Sequence, residues 1–249
     1  MQPLTLLSQM IRRKFGGGPK QREMFHPGMF LSLSAIPFLL SDDATHLAAP
    51  AIDGADIKTN VGNVSTFDCG DLQLNRLYVP DEADQPGYFQ IELDGKSEIT
   101  ECRFFREIDV IYPATEDEWF LWVNPYWGQP VELEPGDQSY ARACEVAQIM
   151  PMIGHPQFQL TDGTLFGRHW SPGDRSIDPF EFEETEFGPD GAVVARRHWQ
   201  SMLYSRALDL PSPAPTAEYL LVSLVEEGDG ASIRIHCGID IPASSIMAA

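Results

Sequence analysis

The side chains best suited to chemistry in this sequence are two histidines and an aspartate in its second half. His155, Asp162 and His169 fall within fifteen residues, and two imidazoles with one carboxylate are adequate ligands for zinc or iron. They could converge if Asp162-Gly163 forms a hairpin turn. Their spacing matches no metal signature, however, and an Asp-Gly pair is also ordinary turn chemistry. We therefore expect no resident metal or other cofactor, and keep these three residues as the metal candidates.

Nucleophilic catalysis requires a serine or cysteine that a neighbouring base activates on an exposed turn. The chain contains no Gly-x-Ser-x-Gly motif, and its four cysteines are scattered, without a Cys-x-x-Cys pair. This cysteine usage indicates a reducing compartment. His236 and Cys237 are adjacent, but neighbours on a strand point to opposite faces, so they are not expected to pair. The sequence thus carries no catalytic signature, and a non-enzymatic role is favoured.

Glutamates alternate with phenylalanines in one short segment of the second half, Phe180–Phe187. General acid–base catalysis needs two carboxylates whose environments push their pKa values apart inside a cleft. Alternation of Phe and Glu instead describes an amphipathic strand with a solvated acidic face. The glutamates assigned to that face are Glu181, Glu183, Glu184 and Glu186.

The densest aromatic cluster of the chain comprises Trp119, Trp122, Tyr126 and Trp127. Thr115 and Glu118 form a capping box, which predicts a short helix that carries the first two tryptophans. Prolines and glycines interrupt the rest of the cluster, so its aromatic side chains cannot all share one helix face. Packing in the core and exposure on a partner surface are both open, because aromatic residues are enriched at binding hot spots. We take these four residues as the candidate partner surface.

Period-two alternation between turn residues dominates the chain from about residue 60, which indicates antiparallel strands. Tyr88–Leu93 turns at Asp94-Gly95 and resumes at Ile99–Phe105. In a strand near the end, isoleucines and Cys237 share one face, predicted to be buried, and His236 shares the other, predicted to be wet. A second helix is expected at Asp137–Met150. The fold class predicted is α+β, mainly antiparallel sheet, with two or three short helices.

A two-unit organisation is suggested by segments that recur in the same order. Arg76-Leu77-Tyr78 is matched by Arg168-His169-Trp170, and each is followed by an acidic aromatic strand and then by an arginine-containing one. Two similar β-meander units, at about 60–124 and 152–240, would explain the pattern. We expect residues 1–25 to form a basic, flexible tail and residues 26–249 to form one globular domain.

The formal net charge of −20 is unevenly distributed. Residues 1–22 hold five basic groups and no acid, which leaves 12 basic against 37 acidic groups in the rest, or −25. A body this acidic repels phosphates, so nucleic-acid binding is disfavoured. The negative charge either serves solubility alone or attracts a basic partner. The apolar stretch Leu4–Ile11 precedes its charges, unlike a secretory leader, and no stretch spans a bilayer. We therefore expect a cytoplasmic protein that is not integral to a membrane.

Several second-half motifs together resemble the YjfK-like family of uncharacterised bacterial proteins, a domain of unknown function. Arg76-Leu77-Tyr78 and Tyr112-Pro113 extend the likeness into the first half, over roughly residues 30–242. The motifs are Ile153-Gly154-His155-Pro156, Arg168-His169-Trp170, Phe182-Glu183-Glu184-Thr185, Met202-Leu203-Tyr204 and Glu218-Tyr219-Leu220-Leu221-Val222-Ser223-Leu224. Members of that family are often encoded beside a phage-shock-type coiled-coil protein, small membrane proteins and a ligase resembling glutathionylspermidine synthase. The resemblance thus implies an accessory role at the envelope and carries over no catalytic residues.

Two hypotheses follow from the sequence. The first is a non-enzymatic accessory or adaptor protein linked to envelope or membrane stress, whose acidic surface binds a basic or membrane-associated protein. The alternative is a metal-dependent or otherwise unrecognised enzyme with a site near His155 and His169.

Overall fold

The structure is a computed structural model, which describes residues 25–50, 56–68, 73–80, 87–94, 98–123, 151–242 and 246–248. Antiparallel strands dominate these residues, as predicted. The strands of the first half are β1 (Phe30–Ser34), β2 (Asp56–Asn60), β3 (Asn63–Asp68), β4 (Gln73–Val79), β5 (Gly87–Leu93) and β6 (Ile99–Ile111). Those of the second half are β7 (Gln157–Gln159), β8 (Leu165–Arg168), β9 (Phe180–Phe187), β10 (Val193–Ala207), β11 (Ala217–Glu227), β12 (Gly230–Asp240) and β13 (Ile246–Ala248).

Eight of these strands close into a barrel rather than forming two meander layers. Strands β3 to β6 form one antiparallel run and β9 to β12 form another. The two runs join at both edges, where β3 pairs with β9 and β6 pairs with β12. The expectation of two similar meander layers is therefore corrected to one closed barrel, to which each run contributes four strands. The physical reason is that closure satisfies the edge strands of both runs, whose backbone groups would otherwise lie open.

A smaller sheet packs on the outside of the barrel. β1 lies between β2 and β13 in this sheet, and it is followed by helix α1 (Ile36–Ser41), which has a proline in its first turn, and by a 3₁₀ turn, Asp42–Ala44. We call residues 25–50 with β2 the outer layer. Phe38 of α1 meets Phe104 of β6 edge to face, with ring centroids 5.3 Å apart, so the outer layer and the barrel wall share one apolar core.

Helix α2 (Glu116–Trp122) begins at the capping box predicted from the sequence. The backbone N–H of Glu118 donates to Thr115 Oγ1 (3.3 Å), and Glu118 Oε2 accepts from the backbone N–H of Ala114 (2.5 Å). The cap confirms the predicted start of this helix. The predicted helix Asp137–Met150 lies outside the described residues, as does nearly all of the predicted basic tail. Among the helices of the described chain, none has the length and apolar character needed to cross a bilayer.

Candidate functional site

Polar and charged side chains face the inside of the barrel. Residues opposite each other on paired strands share a face of the sheet, and the register places Arg76 opposite Ser65 and Gln90. Arg76 of β4 also contacts the ring of Trp199 of β10, although β3 and β9 lie between these strands. That contact is made across the interior. An eight-stranded barrel is about wide enough for side chains to fill.

Arg76 lies at the centre of this interior with 2% of its surface exposed. Its guanidinium carbon lies 4.6, 4.5 and 4.2 Å from the ring centroids of Phe67, Tyr88 and Trp199. Its Nε donates to Gln90 Oε1 at 3.2 Å. Aromatic faces attract a cation, most strongly where water is excluded. The three rings therefore hold a buried positive charge without exposing it.

Glu184 supplies the negative charge that balances this arginine. It is 1% exposed and accepts hydrogen bonds from Tyr78 Oη (2.6 Å) and Trp199 Nε1 (2.8 Å). Arg197 Nη1 lies 3.4 Å from its carboxylate and Arg76 Nη1 lies 3.9 Å away. Burial alone would raise the pKa of Glu184, but the charge of Arg76 and the bond from Tyr78 lower it overall. The carboxylate is thus held ionised as part of the framework.

Charges alternate in sign along one end of the barrel. Arg197 of β10 joins Glu186 of β9 (2.5 Å) to Glu227 of β11 (3.0 Å). Arg234 of β12 then joins Glu227 (3.4 Å) to Glu107 of β6 (3.9 Å). Each carboxylate in this series has a cation within ion-pair distance, so the groups are paired rather than poised for reaction.

The opposite end of the barrel holds a carboxyl group that titrates near neutral pH. Burial, and then the neighbouring Glu101, raise the pKa of Glu92 to about 7. Glu92 and Glu101 are direct cross-strand partners, while Arg103 binds Glu101 at 2.7 Å and lies over the ring of Tyr219 at 4.8 Å. His169 meets the same Tyr219 ring edge to face at 5.2 Å. A carboxyl group of raised pKa and an imidazole at the same end of the barrel are the groups of this interior that most resemble a functional site.

His169 is a neutral imidazole in this environment. Its Nδ1 lies 3.0 Å from Ser205 Oγ, and burial, followed by the charge of Arg103, lowers its pKa below the ordinary value. A neutral imidazole can accept a proton, which is the property that a general base needs. His236, deeper inside, is also neutral, because burial and the charge of Arg76 hold its pKa well below the usual range.

The three metal candidates take different partners. His155 Nδ1 contacts the carbonyl of Gln157 at 3.0 Å, and Asp162 binds the ring of His46 at 2.8 Å. His169 turns to Ser205 and Tyr219 instead. Within the described part of the chain, no group of three or more His, Cys, Asp or Glu side chains has an arrangement that could hold a metal ion.

Half of the aromatic cluster proposed as a partner surface is described. Trp119 and Trp122 of α2 are half-buried and pack against the main core, and the Trp122 ring lies 6.4 Å from that of Phe158. Tyr126 and Trp127 lie outside the described residues. Beside the tryptophans, Leu121 and Met152 are each 45% exposed.

Sequence reasoning missed the interior residues because it assigned polar strand faces to solvent. The solvated face predicted for β9 is wrong for Glu184 (1% exposed) and Glu186 (6%), and the wet face predicted for β12 is wrong for His236 (4%). A usable signal was the nearly continuous apolar run Tyr219–Leu224 in β11. Such a run indicates a strand that is covered on both faces.

Comparison with known proteins gives a family but no activity. A family model described as "Protein of unknown function (DUF2491)" matches residues 10–247. No curated protein and no solved structure matches the chain.

Proposed function

The chain belongs to the DUF2491 family, and from that premise we propose that it is a non-enzymatic accessory or adaptor protein. Its partner is a basic or membrane-associated protein. The cytoplasm as its location, the link to envelope or membrane stress and the correspondence with the YjfK-like proteins belong to the same proposal. They rest on the cysteine usage and on the sequence resemblance.

The observation that carries the proposal is the exposed apolar surface beside α2. The backbone N–H of Met152 donates to the carbonyl of Leu121 at 2.9 Å, so these two exposed residues lie side by side in the backbone. With Trp119 and Trp122 they form what we call the α2 surface. The first turn of the same helix carries three acidic residues. An apolar patch with an acidic border suits a partner segment that combines basic and apolar side chains.

The interior chemistry supports a binding role over a catalytic one. Arg76, Glu184 and Arg197 are engaged with one another and with aromatic rings inside the barrel. Charges paired in this way hold a framework in place, whereas a catalytic group must meet substrate. The formal charge of −20 adds long-range attraction for a basic partner.

The proposal is tested by partner capture with the tagged full chain at graded salt. We expect partner recovery to fall steeply by about 0.5 M salt, because exposed charges are then screened within a few ångströms. A Leu121→Ser/Met152→Ser variant should reduce recovery about tenfold, the loss of an apolar hot spot. Leu165→Ser, which changes a leucine 48% exposed on β8, is the matched control and should bind normally. Recovery that is indifferent to salt and to the double variant would overturn the adaptor role.

A second candidate function is favoured by Glu92 and His169. Their end of the barrel combines a carboxyl of pKa about 7 with a neutral imidazole, which suits proton-transfer chemistry. The alternative that we keep is a metal-dependent or otherwise unrecognised enzyme with a site near His155 and His169. Elemental analysis of the purified protein and of His169→Ala tests its metal-dependent form. A stoichiometric metal that His169→Ala loses would support it, and no metal in either sample would remove it.

A further inference from the structure

Residues 44–49 are fastened to the barrel by polar side chains of three strands, and we call this segment the strap. Arg206 Nη2 of β10 donates to the carbonyl of Ala44 at 2.5 Å. Glu218 of β11 accepts the backbone N–H of His46 at 2.5 Å, and Arg106 Nη1 of β6 donates to the carbonyl of Ala49 at 3.2 Å. The strap therefore holds the outer layer against the wall of the barrel.

Both ring nitrogens of His46 face carboxylate oxygens. Nδ1 lies 3.1 Å from Glu218 Oε1, and Nε2 lies 2.8 Å from Asp162 Oδ2 in the turn between β7 and β8. An ionised carboxylate only accepts hydrogen bonds, and a neutral imidazole has a single N–H to donate. The positively charged imidazolium is the form that can donate to both carboxylates at once. The His46 ring can therefore donate to both carboxylates only when both of its nitrogens carry a proton.

The charges around His46 balance when it is protonated. Arg206 Nε donates to Glu218 Oε2 at 2.5 Å, and the thiol of Cys237 donates to Glu218 Oε1 at 3.0 Å. Thr164 donates to Asp162 from its backbone N–H (2.8 Å) and its hydroxyl (3.1 Å). Burial keeps Cys237 neutral by raising its pKa well above the ordinary value. Two carboxylates thus face one arginine and one imidazolium, and loss of the proton leaves a net negative charge beside the buried Glu218.

We propose that His46 is a proton-dependent latch that fastens the strap, and with it the outer layer, over the apolar outer face of the barrel. Protonated His46 joins the outer layer to β11 and to the β7–β8 turn simultaneously. Neutral His46 keeps one of the two hydrogen bonds, and its unprotonated nitrogen turns a lone pair toward the other carboxylate. The outer layer consequently loosens as the proton leaves.

The direction of the pH dependence follows from the pKa of His46. Burial by itself lowers this pKa, but the hydrogen bonds with Asp162 and Glu218 outweigh burial and raise it above 6.5. The same contact helps to hold the pKa of Asp162 at about 2. A group whose pKa is raised by folding stabilises the folded state below its unfolded pKa, and this contribution is lost as the pH rises through the folded value. The latch is therefore closed below pH 6.5 and opens as the pH rises through the raised pKa of His46.

Hydrogen exchange of the full chain between pH 6 and 9, corrected for the intrinsic exchange rate, tests the latch. In the wild type we expect protection of the strap to fall about fivefold across this range while β12 stays unchanged, since a lost hydrogen bond is worth about 1 kcal/mol. Asp162→Asn should remove most of this pH dependence and leave strap protection low already at pH 6. The matched control is Glu183→Gln, because Glu183 is an exposed carboxylate that binds one histidine ring, His198, at 2.8 Å.

The titration of the ring itself gives an independent readout. Proton NMR should place the His46 pKa above 6.5 in the wild type and in Glu183→Gln, and lower it in Asp162→Asn. A His46 that titrates at or below 6.5 in the wild type, or an Asp162→Asn strap that keeps the wild-type pH profile, would overturn the latch. Neither outcome bears on the α2 surface, so the adaptor proposal stands or falls separately.

Discussion

On the outer face of the barrel wall, the fully buried residues beneath the outer layer are apolar, among them Phe104, Leu220 and Ile239, whereas on the inner face the buried residues include the charged and polar side chains of Arg76, Glu184 and His236. The outer face is largely apolar, apart from the residues to which the strap attaches. It stabilises the fold through burial of apolar surface, and the hydrophobic effect does not depend on the relative orientation of the groups that are buried. The inner face combines buried aromatic rings with matched charges and hydrogen bonds, and the polar contacts tolerate few alternative arrangements.

This contrast suggests a division of labour within one sheet. Burial of the outer face, which belongs to the largest apolar cluster, supplies much of the driving force for folding. The inner charges and hydrogen bonds favour one register of the eight strands over its neighbours. A shift of one residue would turn Arg76 and Glu184 outward into the apolar core, where neither charge has a partner. The two faces should therefore respond differently to substitution.

The largest effect is expected on the outer face. Phe104 is 0% exposed and contacts Phe38 and Phe89, so Phe104→Ala leaves a cavity at the junction of barrel and outer layer. We expect a loss of about 4 kcal/mol in the free energy of unfolding, measured with urea. Phe30→Ala, at a phenylalanine that is 39% exposed, should cost below about 1 kcal/mol. Equal costs at the two positions would contradict the assignment of the main core to the outer face.

A somewhat smaller effect is expected from Glu184→Gln on the inner face. This change removes the charge that balances Arg76 and Arg197 and should cost about 3 kcal/mol, the range seen when one partner of a buried ion pair is removed. Glu183→Gln changes the neighbouring glutamate, whose side chain is 69% exposed, and should stay within about 0.5 kcal/mol of the wild type. If the two variants unfold at the same urea concentration, the inner charges contribute nothing specific.

The strands themselves could be predicted from sequence, because alternation and turn residues are local signals. Phe180–Phe187 is β9 with the same bounds, and Tyr88–Leu93 pairs with the strand that begins at Ile99 as expected. Closure could not be predicted, because the pairing of Thr66 with Thr185 joins distant parts of the chain. A prediction that lacks the closed barrel also lacks its interior, so it assigns every polar face of a strand to solvent.

The same long-range pairing decides which residues of the two runs occupy equivalent places. Arg76 lies opposite Ser65, which precedes Thr66, and Arg197 lies opposite Glu184, which precedes Thr185. Arg76 and Arg197 therefore occupy equivalent positions on either side of the β3–β9 pair, and both lie beside Glu184. The sequence comparison matched Arg76 with Arg168 instead. Arg168 serves another purpose, since its Nη1 binds the carbonyls of Gly154 and Arg175.

Of the candidate site, the sequence yielded His169 and the described half of the aromatic cluster, because histidine and tryptophan are conspicuous residue types. It did not yield Glu92, whose raised pKa comes from burial and from Glu101 on the next strand. Neither cause can be read locally. His46 was missed for the same reason, because its two carboxylate partners lie far along the chain.

The smallest effect is expected at Glu92, where the inner face holds an acid that Arg103 only partly offsets. Its pKa is raised from 4.5 to about 7, so ionisation costs the folded state free energy, and stability falls as the pH rises through this window. Glu92 is partly open to water, so we discount the full shift for screening and expect about 1 kcal/mol. Glu92→Gln should match the wild type at pH 4 and exceed it by that amount at pH 8 in urea unfolding.

Glu98→Gln, an exposed glutamate at the start of the next strand, should follow the wild type at both pH values. A Glu92→Gln variant that gains no stability at pH 8 would mean that the inner face holds the ionised Glu92 carboxylate without a cost in stability. The inner and outer faces would then differ in composition alone. A gain confined to high pH would instead show that this end of the barrel stores unfavourable electrostatic energy when Glu92 is ionised.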